Sequence, residues 1–404
     1  MNVSSANRGL IPLIWKKMGL KINFDERRVY GLDILRAFAI SVVVVTHSIS
    51  YLPSWATNII NSVALDGVSI FFVLSGFLIG TILIKSMQGV APGFYTLLNF
   101  WWRRWSRTLP VYFLIFSLVL FAYNYPSFHT APTFKRYYFF SQNVYTPHPG
   151  FFIEAWSLSV EEWFYLLIPF ITFVFIRYFK VKITDAILII SSIVILFSTG
   201  LRLERYFIYR PVDDYKFELY FRMQVVSRLD SIMYGVLGAL AAMSNSESWK
   251  KKSRMKFLVG LFILVANKIF SLSDNHTAFP LYHAVFFFTL NSAGTLLLLP
   301  FLSNYKTGRG WVFKAVTYIS LISYSMYLIN LTPVQEYVMP FINKHFLKNA
   351  GGVGTVKTID LFLYYPITIL GSIYLFKYFE TPILKFRDKI NFGTRSRLRA
   401  GKSV

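Results

Sequence analysis

The sequence predicts an all-α polytopic membrane protein with about ten transmembrane helices and both termini cytoplasmic, and three observations predict it. Apolar residues make up 55% of the 404 residues and charged residues only 15%, whereas a soluble domain carries about a quarter charged residues. The apolar residues gather into runs close to the roughly 20 residues a helix needs to cross a bilayer. The basic excess, 42 Lys+Arg against 19 Asp+Glu for a net charge of +23, is spread unevenly over the segments between those runs. A mean hydropathy of +0.48 with 41 Phe excludes the polar nucleic-acid module that so basic a chain would otherwise suggest. No nucleic-acid partner is therefore expected. The absence of cysteine excludes disulfides, thiolate catalysis and Cys-ligated zinc.

The predicted spans are 33–52, 64–84, 109–124, 157–176, 184–201, 225–243, 257–272, 281–303, 315–333 and 358–377. With the N-terminus inside, 29 of the 42 basic residues fall in cytoplasmic segments, 10 in the outside loops and 3, Arg36, Arg228 and Lys268, in spans. This is the inside-positive bias that orients membrane proteins. A polar, basic stretch precedes the first apolar run and no small-residue cleavage site follows it, so no signal peptide is expected. Residues 1–29 read as a basic cytoplasmic segment, 30–384 as one membrane domain, and 385–404 as a basic cytoplasmic tail facing solvent or lipid headgroups.

Ionisable groups inside spans are costly and are functional candidates by default. In the first span Arg36 and His47 are eleven residues apart, just over three helical turns, so they share a face at an axial separation of about 16 Å. A guanidinium near the cytoplasmic end and an imidazole about two-thirds of the way across suggest a polar path, and histidine suits proton transfer near neutral pH. A plainer reading has Arg36 snorkelling to the interface and His47 bonded to a neighbouring helix. Gly67 and the Ser75-Gly76 pair in the second span read as close helix packing.

Before the third span, Phe94, Leu97, Leu98, Trp101 and Trp105 fall on one helical face and Thr96, Asn99, Arg103 and Arg107 on the other, predicting an amphipathic helix in the cytoplasmic interface. Arg103, Arg104 and Arg107 form a cationic cluster suited to phosphate or pyrophosphate. Headgroup contact is the simpler use of the same charges. In the fourth span Glu161 and Glu162 stand beside a long apolar run, where one can face solvent and the other needs a partner in the bundle. Arg228 and Asp230 open the sixth span, where a mutual or inter-helix ion pair is expected. His129, His148, His276 and His345 lack metal-ligand spacing and His283 is alone on an apolar helix, so no metal is expected.

Several of these motifs together resemble the acyltransferase type 3 family of integral membrane acyltransferases, over most of residues 28–390. Tyr30-Gly-Leu-Asp33-Ile-Leu-Arg36-Ala with His47 is similar to the family's basic-x10-His signature, and Gly67-Val-Ser-Ile-Phe71-Phe-Val-Leu-Ser75-Gly76-Phe77 to its second-helix motif. Arg104-Trp-Ser-Arg107-Thr-Leu-Pro110 resembles its Arg-x-x-Arg element. Trp156-Ser-Leu-Ser-Val-Glu161-Glu162-Trp-Phe-Tyr165 resembles its fourth-helix signature, and Arg228-Leu-Asp230 and Glu380-Thr-Pro382 its later ones.

The resemblance implies O-acylation, usually O-acetylation, of a cell-envelope polysaccharide or lipid-linked sugar, in the bacterial cytoplasmic (inner) membrane. Acyl-CoA, acetyl-CoA in the usual case, would be the cytoplasmic donor. His47 would be the catalytic histidine, Arg36 its basic companion, Arg104 and Arg107 the functional arginine pair with Arg103 beside them on the coenzyme phosphates, and Glu161 the acidic residue of helix four, orienting His47 or binding the acceptor. Sequence leaves open whether His47 activates the hydroxyl or carries the acyl group. One departure stands out: Ser323-Tyr324-Ser325-Met326-Tyr327-Leu328-Ile329-Asn330 resembles a segment that often ends in histidine, and asparagine cannot shuttle a proton. No appended hydrolase-like domain is expected, and transfer is expected to be completed within the membrane domain. Acylation of a lipid or small secreted metabolite, and a transporter without chemistry, are the alternatives. The transporter is disfavoured by the lack of a repeat and of paired broken helices.

Overall fold

The structure is a computed structural model that describes residues 28–88, 92–123, 134–210, 213–273, 279–348 and 352–390. His129, His276, nearly all of the N-terminal basic segment and the tail beyond residue 390 lie outside the described residues. Ten main helices follow one another: α1 Tyr30–His47, α2 Gly67–Met87, α3 Phe94–Ala122, α4 Ala155–Arg177, α5 Ile183–Tyr209, α6 Leu229–Ser244, α7 Ser253–Ser273, α8 Phe287–Leu302, α9 Gly310–Ile329 and α10 Val353–Leu375. No strand occurs among the described residues. Each predicted span falls on one of these helices, which together form an all-α polytopic membrane fold. Nine helical stretches among the described residues are long and apolar enough to cross a membrane, while α6, the sixth predicted span, has only 16 residues.

The bundle closes most tightly where α2 crosses α6. A Cβ added at Gly76 would stand 1.9 Å from the carbonyl oxygen of Ile232, and one at Gly235 would stand 2.0 Å from that of Val73. Two backbones in direct apposition leave room for hydrogen alone, as small-residue helix crossings in membranes require. Gly67 meets α1 in the same way at Ala39. The packing role expected of these glycines holds, but Ser75 does more, as its bond to α4 below shows.

Two elements differ from expectation. The amphipathic helix before the third span does not end before it, and Phe94–Ala122 is a single 29-residue helix through Pro110. Leu97 and Phe100 are buried, Trp101 Nε1 donates to the carbonyl of Tyr165 at 2.9 Å and Thr108 Oγ1 to Glu162 at 2.7 Å. Tertiary contacts along one face thus carry the helix past a proline whose missing N–H would weaken it alone. The fifth span likewise runs on to Tyr209 and takes in Arg202 and Arg205, which are buried, whereas the sequence placed them in an outside loop. Arg202 makes the inter-helix ion pair with Asp230, at 2.7 Å. Arg228 takes no part in it: its Nη2 donates to Ser69 Oγ at 2.6 Å and its guanidinium lies 3.9 Å from the Phe288 ring centroid.

α9 stops at Ile329 because Pro333 can neither donate to that carbonyl nor pack against it without a clash. A π-turn, Asn330–Val338, absorbs the break. It carries Asn330 to the buried end of the helix, opposite α1.

Candidate active site

Two cavities lie inside the bundle and divide the polar residues of α1 between them. The first, about 570 Å³, is lined by Arg36 from α1, Ser75 and Lys85 from α2, Arg104, Arg107 and Thr108 from α3, Glu161 and Tyr165 from α4, and Tyr324 from α9. The second, about 370 Å³, is lined by His47 from α1, Asp66 before α2, Glu154 before α4, Glu218 and Arg222 before α6, Lys268 from α7 and Asn291 from α8. Val68 and Tyr327 line both. The Tyr327 hydroxyl is shared with Ser157 Oγ at 2.6 Å and donates to the carbonyl of Glu154 at 3.2 Å, so a hydrogen-bonded ring stands where the two spaces meet.

In the first cavity, hydroxyl donors hold Glu161: Ser75 Oγ at 2.8 Å and Tyr165 OH at 2.9 Å. This ties the second-helix motif to the fourth-helix one. Glu162, next in sequence, is also in the bundle, on Thr108, so neither carboxylate of the pair is left to solvent. Arg104 and Arg107 face the cavity, and Arg104 Nε is buried with no partner among the described residues. Arg103 is exposed and does not line it. Asp33 of the opening motif is a strut, accepting from Arg28 and from Ser320 Oγ of α9 at 2.7 Å.

In the second cavity, His47 Nδ1 pairs with Asn330 Oδ1 at 2.5 Å. The carboxamide is fixed at its other end, because Asn330 Nδ2 donates to the carbonyls of Met326 and Tyr327, both at 2.8 Å. Its oxygen must therefore face the imidazole, and His47 Nδ1 carries the hydrogen. That leaves the Nε2 lone pair free. Glu154 clamps the same π-turn by accepting from Thr332 N at 3.1 Å and Thr332 Oγ1 at 2.6 Å, and burial pushes its carboxyl up to about 8. Arg222 is held by Glu218 at 2.9 Å and Asp66 at 3.7 Å, and Glu218 beside it keeps its guanidinium the more firmly protonated.

The structure thus brings Arg36, Arg104, Arg107 and Glu161 together and sets His47 apart from them, one cavity further along α1. The histidine is oriented by Asn330, and Glu161 stays with the arginines. Sequence reading missed Asp66, Glu154, Glu218 and Arg222. Asp66 had a legible signal: it caps α2 by accepting from Ser69 N at 3.1 Å, the spacing of an N-cap residue with its third neighbour. Among the described residues no group of three or more acidic or histidine side chains is placed to hold a metal ion.

A model of the acyltransferase domain family matches residues 29–377. The chain is 27% identical over 388 residues to O-acetyltransferase OatA of Staphylococcus aureus (strain NCTC 8325 / PS 47), an alignment that takes in 90% of this chain and 58% of that protein. It is 24% identical over 379 residues to the putative O-acetyltransferase SACOL0978 of Staphylococcus aureus (strain COL), with 89% and 58% covered. The chain therefore spans less than two thirds of the length of these relatives. No solved structure matches.

Proposed function

The chain belongs to the acyltransferase domain family, and from that premise we propose that it is a membrane O-acyltransferase. It would move an acyl group, acetyl in the first instance, from acyl-CoA to a hydroxyl of a cell-envelope polysaccharide or glycolipid. The observation that carries this reading is the pair of cavities meeting at Val68 and Tyr327, with arginines in one and a tautomer-fixed histidine in the other. The donor enters the first cavity with its phosphates on Arg104 and Arg107, since forked guanidinium donors match phosphate geometry. Its pantetheine arm runs along α1 past Arg36, over a span of about 16 Å, and brings the thioester to Tyr327. Glu161, fixed by Ser75 and Tyr165, supplies the counter-charge that keeps three guanidinium groups in one space.

His47 Nε2 takes the proton of the acceptor hydroxyl in the second cavity. The oxygen attacks the thioester carbonyl, the C–S bond breaks, and the coenzyme thiolate leaves and is protonated from the imidazolium, directly or through water. The basic bias of the loops supports both termini and the donor cavity being cytoplasmic, in a bacterial cytoplasmic membrane. The names of the relatives support acetyl as the group transferred.

Arg104→Ala and Arg107→Ala should each weaken acetyl-CoA binding by about tenfold or more, the usual worth of a hydrogen bond to a charged group. Arg103→Ala, outside the cavity, should leave it within about twofold. Titration of the purified full chain in detergent with acetyl-CoA measures this, and equal affinity in all three variants would overturn the phosphate assignment. Loss of acetyl mass from envelope glycans when the gene is deleted tests the acceptor class.

A further inference from the structure

The second cavity contains two hydrogen-bond donors that no hydrogen-bond acceptor among the described residues answers. Lys268 projects into it from α7, and among the described residues its ammonium makes neither ion pair nor hydrogen bond. Asn291, on the neighbouring α8, lines the same space at 4% exposure, and its Nδ2 has no partner among the described residues. An ammonium within a predicted span and a buried unpaired amide are each costly. The acidic groups of the cavity hold other partners directly, and Asp66 reaches Lys268 only through its longer-range field. Asp66 and Glu218 hold Arg222, and Asp66 also accepts from Ser69 N and Oγ. Glu154 spends both oxygens on Thr332 and is largely uncharged at neutral pH, since burial pushes it up to about 8.

We propose that Lys268 and Asn291 form an anion subsite in the His47 cavity, so that the acceptor carries a carboxylate or phosphate close to the hydroxyl that is acylated. The inference rests on the reading of this cavity as the acceptor site and narrows it to acidic acceptors. Lys268 supplies charge and one donor, and Asn291 supplies a second donor at a fixed angle. The anion so held turns the neighbouring hydroxyl toward His47 Nε2. A neutral sugar leaves both donors unanswered and loses what a charge-assisted bond gives, about tenfold or more in apparent affinity.

The test uses the full-length protein in lipid nanodiscs with acetyl-CoA and four probes: methyl glucuronide, glucose 6-phosphate, methyl glucoside and glucose. Two readouts are taken, protection of His47 from carbethoxylation by diethyl pyrocarbonate, located by peptide mass, and acetyl transfer to the probe. At least one acidic probe should protect His47 at about a tenth of the concentration that its neutral counterpart needs, and which of the two does so separates carboxylate from phosphate. Lys268→Gln and Asn291→Ala should remove the difference, while Lys268→Arg retains it. Equal protection by acidic and neutral probes, protection by none, or an undiminished preference in Lys268→Gln would overturn the subsite. Transfer to neutral and acidic probes alike would overturn it while leaving the acyltransferase reading intact. Acidic protection of His47 in a protein that binds no acetyl-CoA would uphold the subsite and sink the acyltransferase reading instead.

Discussion

Replacing His47 with alanine should lower acyl transfer by about 10²- to 10⁴-fold, the range that a positioned general base supplies. The protein should remain folded and bind acetyl-CoA as the wild type does. The geometry separates these outcomes because His47 lies in the second cavity and the arginines proposed to hold the donor line the first. The change removes one hydrogen bond to Asn330, worth about 1 kcal/mol, and Asn330 keeps its anchors on Met326 and Tyr327. Helical content and thermal unfolding should therefore move little. Asn330→Ala acts through the same ring without touching substrate. It frees the imidazole to take either tautomer, so kcat should fall while the KM for acetyl-CoA holds, and Asn330→Gln should not restore it because its longer arm misplaces the oxygen. Steady-state transfer assays with a coenzyme titration check both variants. Full transfer by His47→Ala would remove it as base and as acyl carrier together.

Much of the fold was legible because membrane insertion turns composition into architecture. Ten apolar runs each became a helix, and Gly76 was readable as a packing position because only a small residue fits where two backbones touch. The site was legible only in part, for reasons that particular residues show. Arg36 and His47 share a face of α1, yet α2, α4 and α9 place Val68 and Tyr327 between the spaces they line. Periodicity within one helix cannot report a partition made by its neighbours. Arg103, Arg104 and Arg107 are adjacent on a helical wheel, and which of them face inward was decided by the docking of α3, fixed by Trp101 on Tyr165 and Thr108 on Glu162. Asn330 looked like a defect in a proton relay when read along the chain. In three dimensions it has a different task, because the π-turn forced by Pro333 presents its amide oxygen to the imidazole. The basic excess divides in the same way. Arg202 and Arg222, which fall between predicted spans, are built into the bundle as ion-pair partners, whereas Arg228 was legible as a residue within a span.

The largest stability effect is expected at one of these arginines. Arg202 and Asp230 form an ion pair in which both side chains are completely buried. The guanidinium also donates to the carbonyl of Ser227 at 2.6 Å and to Thr289 Oγ1 at 3.2 Å, joining α5 to α6 and α8. Removing one member leaves the other charge in a dry interior, so Asp230→Asn or Arg202→Met should each cost about 3–5 kcal/mol. The double variant Arg202→Met with Asp230→Leu should recover much of that loss, because a buried pair replaced by apolar side chains of similar volume is near neutral. The contrast between single and double variants identifies the mechanism. Simple loss of packing would make the two substitutions additive, whereas an uncompensated charge makes the second relieve the first. Thermal unfolding of the purified protein in one detergent, read for both singles and the double, measures the coupling. A double variant less stable than either single would show that the pair's hydrogen bonds to Ser227 and Thr289, and not its charge balance, hold these three helices together.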